Sequence, residues 1–183
     1  PDGVVAPTLD LNGVPYTLLR TSLQVAALRS RTILVAPNRA RDMGEPVEAL
    51  GRTVRAGATV ICLEQSEYPR WLPGHGSVRA LVPKSDSPQR VVVKTHPLLR
   101  DIAAGDLSGW EAPRHVAAKT LAIPLGRRGR AVLRSGGGGA LVEMWEGKGR
   151  VVFCQLRAGA CFADEPAAHL LLRNLLNYSR AVP

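Results

Sequence analysis

The sequence is poor in the residues that most often mark chemistry or compartment. It holds three cysteines, Cys62, Cys154 and Cys161, in 183 residues. Their number is odd and no C-x-x-C spacing occurs, so neither a disulfide framework nor a usual zinc site is supported. Cys62 and Cys154 fall inside apolar, strand-like runs, where a thiol behaves as a small hydrophobe. Aromatics make up only 4% of the chain, and no basic run is interleaved with the stacking rings that single-strand nucleic-acid binders use. No apolar run approaches the roughly 18 to 20 residues that span a bilayer, so no membrane partner is expected. Residues 1–15 show neither the basic start nor the apolar centre of a secretory signal. A signal ahead of Pro1 would lie outside this sequence, so the compartment stays open.

What is present is basic and apolar. Net charge is +9, and twenty of the 24 basic residues are arginine. Such an excess can mark a nucleic-acid surface. Here the arginines are scattered, with one tight cluster at Arg127-Arg128-Gly129-Arg130, and a basic nucleic-acid-binding domain is the weaker reading. The apolar fraction of 45% and a mean hydropathy near zero suit a globular fold. The length suits one domain, residues 1–183, with a substantial core.

The clearest elements lie in the last third. Ala140 to Trp145 and Arg150 to Leu156 are β-prone runs separated by Glu146-Gly147-Lys148-Gly149, a turn with the glycines a hairpin needs. A helix follows, with Glu165 at the N-cap and Pro166 at its first position, where a missing N–H costs nothing. Ala167, Leu170, Leu171, Leu175 and Tyr178 recur along one face, which must be buried, most simply against the hairpin strands.

Earlier in the chain, Gly13 to Arg20 reads as a strand and Ser22 to Leu28 as one or two helical turns. Arg31 to Ala36 and Ala58 to Leu63 are continuous runs, the pattern of strands buried on both faces. Between them Glu45-Pro46 opens a helix with Val47, Leu50 and Val54 on one side, stopped by Gly57. That is a βαβ unit, right-handed in nearly every case. Val78 to Val82, Arg90 to Lys94, Lys119 to Pro124 and Arg130 to Arg134 are shorter strand candidates. Ser135 to Gly139 reads as a flexible connection; it lacks the G-K-[ST] ending and the following helix of a phosphate loop.

The order implies a flavodoxin-like, doubly wound α/β fold: a mostly parallel sheet with a C-terminal hairpin and helix. Val4 to Leu11 is too short for a usual first strand and its helix together, and a first strand is expected to be missing. With Pro1 as the opening residue, the chain is expected to be a piece of a larger protein. Ile33, Leu34, Val35, Val60, Ile61, Leu63, Val151, Val152 and Phe153 are expected in one sheet covered on both faces.

A resemblance follows from these pieces in order: G-V-P-Y-T-L-L, T-I-L-V-A-P, G-R-T-V-R-A-G-A-T-V-I-C-L-E-Q, W-L-P, H-P-L-L-R-D-I, D-L-S-G-W, G-K-G-R-V-V-F-C-Q-L and L-L-R-N-L-L-N-Y. Over roughly residues 12–180 the chain resembles the class I glutamine-amidotransferase-like domain attached to bacterial glycoside hydrolases, notably β-galactosidase-like, family-2 proteins. The resemblance implies an accessory domain without amidotransferase chemistry. Its implied partners are the sister domains of the parent hydrolase or further copies in a homo-oligomer, with carbohydrate as a further ligand. The location could be extracytoplasmic if the parent carries a signal.

The candidate residues agree with that reading. A working amidotransferase needs a cysteine on a G-x-C-x-G elbow with a later His and Glu. Cys62 stands in V-I-C-L-E-Q, with no glycine on either side. Cys161, in G-A-C-F, is followed by no H-x-E, and His169 comes eight residues later. A stand-alone amidase is the main rival function. Paired acids for glycoside hydrolysis would come from Glu64, Glu67, Asp106, Glu143 or Glu146, which read instead as solvated or capping residues. His75, His96 and His115 show no ligand spacing, and His96 before Pro97 reads as a local hydrogen-bonding residue. No catalytic residue, metal or cofactor is expected. The binding candidates are Glu64, Gln65, Tyr68, Trp71 and His75, in or next to the loop beyond a strand's carboxyl end, and Trp110. Core packing is the simpler reading for both tryptophans. Trp145, closing a strand, reads as a core or edge residue.

Overall fold

The computed structural model describes residues 5–11, 13–18, 24, 32–37, 46–65, 79–81, 89–107, 110, 117, 119–122, 129–159, 161–162 and 164–178. Among them are helices α1 (Val5–Leu11), α2 (Pro46–Arg55) and α3 (Pro166–Tyr178). The strands are β1 (Thr32–Val35), β2 (Thr59–Leu63), β3 (Arg79–Leu81), β4 (Gln89–Val91), β5 (Thr120–Ala122), β6 (Gly129–Ser135), β7 (Gly138–Glu146) and β8 (Gly149–Cys154).

All eight strands form one sheet in the order β1-β2-β8-β7-β5-β3, with β6 also on β7 and β4 beyond β6. The fold is α/β and flavodoxin-like, with a mixed sheet. Its core is parallel: β1 pairs with β2, and β2 with β8, in the registers Ile33↔Val60 and Val60↔Val151. From β8 outward the pairings are antiparallel, because β7 and β8 are joined by a hairpin and β6 and β7 by another.

Alternation along the core strands sends side chains into two separate layers. Val60, Cys62, Val151 and Phe153 meet Leu50 and Val54 of α2 on one face. Ile61, Leu63, Val152 and Cys154 meet Val5 and Leu9 of α1 and Leu171, Leu172 and Leu175 of α3 on the other. The nine expected core residues therefore do lie in one sheet covered on both sides; Leu34, on the outer strand β1, is half-buried and the rest are buried. Continuous apolar runs are what this coverage demands.

The helix ends follow their sequence signals. Gly57 (φ 123) closes α2: its N–H reaches Val54 O at 2.9 Å and the Ala58 N–H reaches Thr53 O at 3.1 Å, the paired bonds of a Schellman stop. At α3, Glu165 O accepts from the Ala168 and His169 N–H groups, as an N-cap carbonyl should.

Two expectations are corrected. Gly13 to Arg20 forms no strand over its described residues: the Val14 N–H bonds back to Leu9 O at 3.0 Å, closing α1, and Pro15 has no N–H to give a ladder. Ser135 to Gly139 is a hairpin turn, not a loose connection. Gly136 and Gly137 take φ 55 and 86, the left-handed pair a two-residue turn requires, and Gly138 and Gly139 already belong to β7. Val5–Leu11 forms helix α1, in keeping with the expected lack of a usual first strand there. The expected turns in residues 22–28 lie outside the described residues, apart from Gln24.

The β7–β8 hairpin tucks under the end of α2. Lys148 N–H donates to Arg55 O and Arg150 N–H to Ala58 O, both at 3.1 Å. A Cβ on Gly149 would sit 2.0 Å from Val54 O and 2.3 Å from Ala58 O. Gly149→Ala is therefore expected to cost about 2 kcal/mol or more through forced backbone displacement. A lowered urea midpoint at unchanged m would show this; an unchanged midpoint would mean the turn lifts off α2 freely.

Candidate functional site

The connection leaving β1 leads to α2 on one face, while the connection leaving β8 leads to α3 on the other. Strand β2 lies between them, so its carboxyl end is the topological switch point, where open α/β sheets form their binding crevice. The residue there is Glu64. Its φ of 34 is in the left-handed region, strained for a side chain with a Cβ.

The surrounding bonds fix this conformation. Glu64 N–H donates to Cys154 O at 2.8 Å. Gln65 N–H donates to Gln155 Oε1, and Gln155 Nε2–H to Gln65 O, both at 2.8 Å. Gln65 Nε2–H donates to Ala36 O at 2.9 Å and also to Leu63 O. The ends of β1, β2 and β8 are thus stitched together by two glutamines, and the Glu64 carboxyl is left to Arg157, whose Nε lies 3.7 Å from Oε1. Burial pushes the Glu64 carboxyl up to about 7, with Arg157 pulling partly against it.

A second polar cluster lies under the α3 face, at the far end of β7 and β8. Glu143 of β7 is fully buried. Its Oε1 accepts from Tyr178 Oη and from Arg150 at 3.4 Å. Its Oε2 accepts from Arg130 Nε at 3.0 Å and lies 3.4 Å from His96 Nε2. His96 Nδ1 accepts from the Leu98 N–H at 3.2 Å, while its Nε2 faces both Glu143 and Arg130, whose Nη2 lies 2.8 Å away. Arg130 stacks over Trp145 and Arg150 over Tyr178, with guanidinium carbons 5.2 and 4.7 Å from the ring centres. Burial alone would raise the Glu143 carboxyl. The hydrogen bonds from His96 and Tyr178 and the charge of Arg130 outweigh it, holding it down at about 2. Burial and the Glu143 carboxylate together push the Tyr178 hydroxyl up. With donors on both oxygens, Glu143 is a permanent anion that locks β6, β7, β8 and α3 to the turn after His96, and not a proton carrier.

Of the expected binding residues, the structure brings together Glu64 and Gln65, but gives them different parts. Gln65 is buried with its amide turned to backbone carbonyls, so it positions the crevice instead of reading a ligand. Trp110 takes the core-packing reading and not the binding one: it is 2% exposed, with its indole N–H on Asp106 O at 2.8 Å, in the same core layer as Leu98, Leu99 and Leu107. Tyr68, Trp71 and His75 lie outside the described residues. Glu143 is also corrected, being neither solvated nor a cap; an acid inside the apolar run Ala140 to Met144 needs buried partners, and that signal was readable. His96 does serve its own backbone, as expected, and the Glu143 contact is additional. Trp145 is an edge residue, 37% exposed. Among the described residues no group of three or more His, Cys, Asp or Glu could hold a metal ion.

No family model matches the sequence, and no curated protein matches it. Solved structures do share the fold. A protein from Thermoplasma acidophilum, described as one of the subunits of a GMP synthase, superposes with a TM-score of 0.57 at 8% identity, over 96% of this chain and 86% of its own. Cytoplasmic Protein STM3548 from Salmonella typhimurium gives 0.56 at 11% identity, over 88% and 76%. A protein described as ThuA-like, from Bacteroides uniformis, gives 0.53 at 11%, over 87% and 72%. The fold is thus the flavodoxin-like one that these solved structures share. Part of a β-galactosidase from Bacillus circulans aligns at a TM-score of 0.39 over 22% of its length, too distant to support an argument.

The two acids predict opposite pH behaviour. For Glu143 the folded value lies below the ordinary 4.5, so its contribution is present above that pH and is lost as pH falls through about 2. It amounts to roughly 3 kcal/mol. In Glu143→Gln, the unfolding free energy from urea titration should drop by about 3 to 5 kcal/mol near neutrality, because Arg130 and Arg150 lose their counter-charge, and the acid-side slope should flatten. For Glu64 the folded value lies above 4.5, so stability is fullest below 4.5 and declines as pH rises to about 7. Glu64→Gln is expected to gain of order 2 kcal/mol near pH 8 and little near pH 4; a gain equal at both would refute the assignment.

Proposed function

We propose that this chain is an accessory α/β domain, without bond-breaking chemistry of its own, of a carbohydrate-active glycoside hydrolase, and that it serves interdomain or oligomer contacts. One observation carries the non-catalytic part. At the switch point, where a working amidotransferase would present a cysteine, this chain presents Glu64. Cys62, two residues earlier, is fully buried inside β2, and burial pushes its thiol well above the ordinary range. Cys154 is equally buried and pushed up to about 12. A nucleophilic thiol needs the opposite environment.

The carbohydrate-active parent is supported by the order and spacing of the sequence motifs quoted above, from T-I-L-V-A-P to L-L-R-N-L-L-N-Y. The contact surface is expected around the loop from Glu64 to Gly76, whose Tyr68, Trp71 and His75 are side chains suited to an interface. The amidase alternative retains one foothold, the half-buried Cys161, whose neighbour Phe162 packs on the His169 ring with centroids 4.6 Å apart.

The purified chain is expected to turn over neither glutamine nor nitrophenyl glycosides, with Cys62→Ala and Cys161→Ala changing nothing. Turnover abolished by either substitution would establish the amidase instead. In the parent protein, Trp71→Ala should weaken the association of domains or protomers by about 2 kcal/mol, read from assembly mass by sedimentation. An unchanged assembly combined with a less stable isolated domain would place Trp71 in the core.

A further inference from the structure

We propose that Glu64 and Arg157 form a binding site, at the carboxyl end of β2, for a neutral polyhydroxylated ligand such as a sugar, with neighbouring hydroxyls bridging the two side chains. The position comes from topology: the helices after β1 and β8 leave on opposite faces, and Glu64 stands at the end of the strand between them, where open α/β sheets bind ligands. The conformation supports function, since a non-glycine φ of 34 is held by the bonds to Cys154 and Gln155. Those bonds commit backbone and amide groups to keeping one strained residue in place.

The chemistry of the pair selects the ligand. Glu64 and Arg157 side chains are 17% and 32% exposed and approach only to 3.7 Å. That is beyond a direct charged hydrogen bond of about 2.7–2.9 Å, so each keeps hydrogen-bonding capacity for a third group. An anion would meet the carboxylate, and a cation the guanidinium. A hydroxyl both donates and accepts, so a vicinal diol can donate to Glu64 and accept from Arg157 without net charge. Burial that hinders Glu64 from ionising destabilises the empty fold above neutrality, which fits a group retained for binding. The glutamines hold the frame and are not ligand contacts.

This inference depends on the accessory-domain reading only in its choice of probes. The ¹⁵N-labelled chain is titrated with galactose and with glucose, and separately with acetate and methylammonium. Binding in the millimolar range should move the Glu64 and Gln65 amides, the Gln155 side-chain NH₂ and the Arg157 Nε–H with at least one sugar and with neither ion. Glu64→Gln and Arg157→Gln should each weaken that response about tenfold or more, with the remaining spectrum intact as the fold control. No response to either sugar, a response centred elsewhere such as Trp145, or an equal response to acetate overturns the site. Turnover and parent assembly are read by other experiments, so either reading can fail without the other.

Discussion

The pairing of β2 with β8 is the constraint on which the rest depends. These strands are some 90 residues apart in sequence, both are covered on both faces, and their register from Thr59↔Arg150 to Leu63↔Cys154 is continuous. A slip of one residue would turn every side chain to the wrong layer. Sending Val60, Cys62, Val151 and Phe153 toward α3 would leave α2 facing the residues meant for α1 and α3. The contact at Gly149 guards against such a slip: only a residue without Cβ can pass between Val54 O and Ala58 O, and it stands at the start of β8.

That register also sets the two acidic sites at opposite ends of the parallel core. Glu143 lies across from Val152 in β7, beneath α3, where Tyr178, His96 and two arginines converge. Glu64 lies past the last paired residue of β2, where Arg157, its ion-pair partner among the described residues, has its Nε 3.7 Å away. Both carboxyls are removed from water, and burial disfavours the charge in each. The difference is the number of donors. Several donors reverse the burial effect at Glu143, while one long ion pair leaves it dominant at Glu64. The first acid is a rivet. The second is held in a backbone conformation that is costly for a residue with a Cβ.

Cys62 is a core residue because β2 is buried on both faces, and a strand that must be apolar throughout cannot expose a nucleophile before its end. The first residue past the end of β2 is Glu64, a carboxyl.

By itself the sequence determined the parts whose causes are local or periodic. The runs Thr32 to Val35, Thr59 to Leu63 and Gly149 to Cys154 announced two-sided burial because they lack alternation. Pro166 and Gly57 announced helix ends because each has a backbone restriction or freedom that only those places use. Glycines at 147 and 149 announced a hairpin. Tertiary structure decided the rest. The partners of Glu143 come from 35 residues away at Tyr178 and 47 at His96, and Gln65 meets Gln155 across 90. No local pattern encodes such meetings. Gly13 to Arg20 looked like a strand because its side chains suit one, and the bond from Val14 back to Leu9 prevented it. Trp110 had the chemistry of a surface anchor as well as of a core residue, and the tertiary fold buried it in the layer that also holds Leu98, Leu99 and Leu107. Whether an acid is solvated, riveted or poised depends on how many donors the fold brings to it, and that number exists only once the chain has closed.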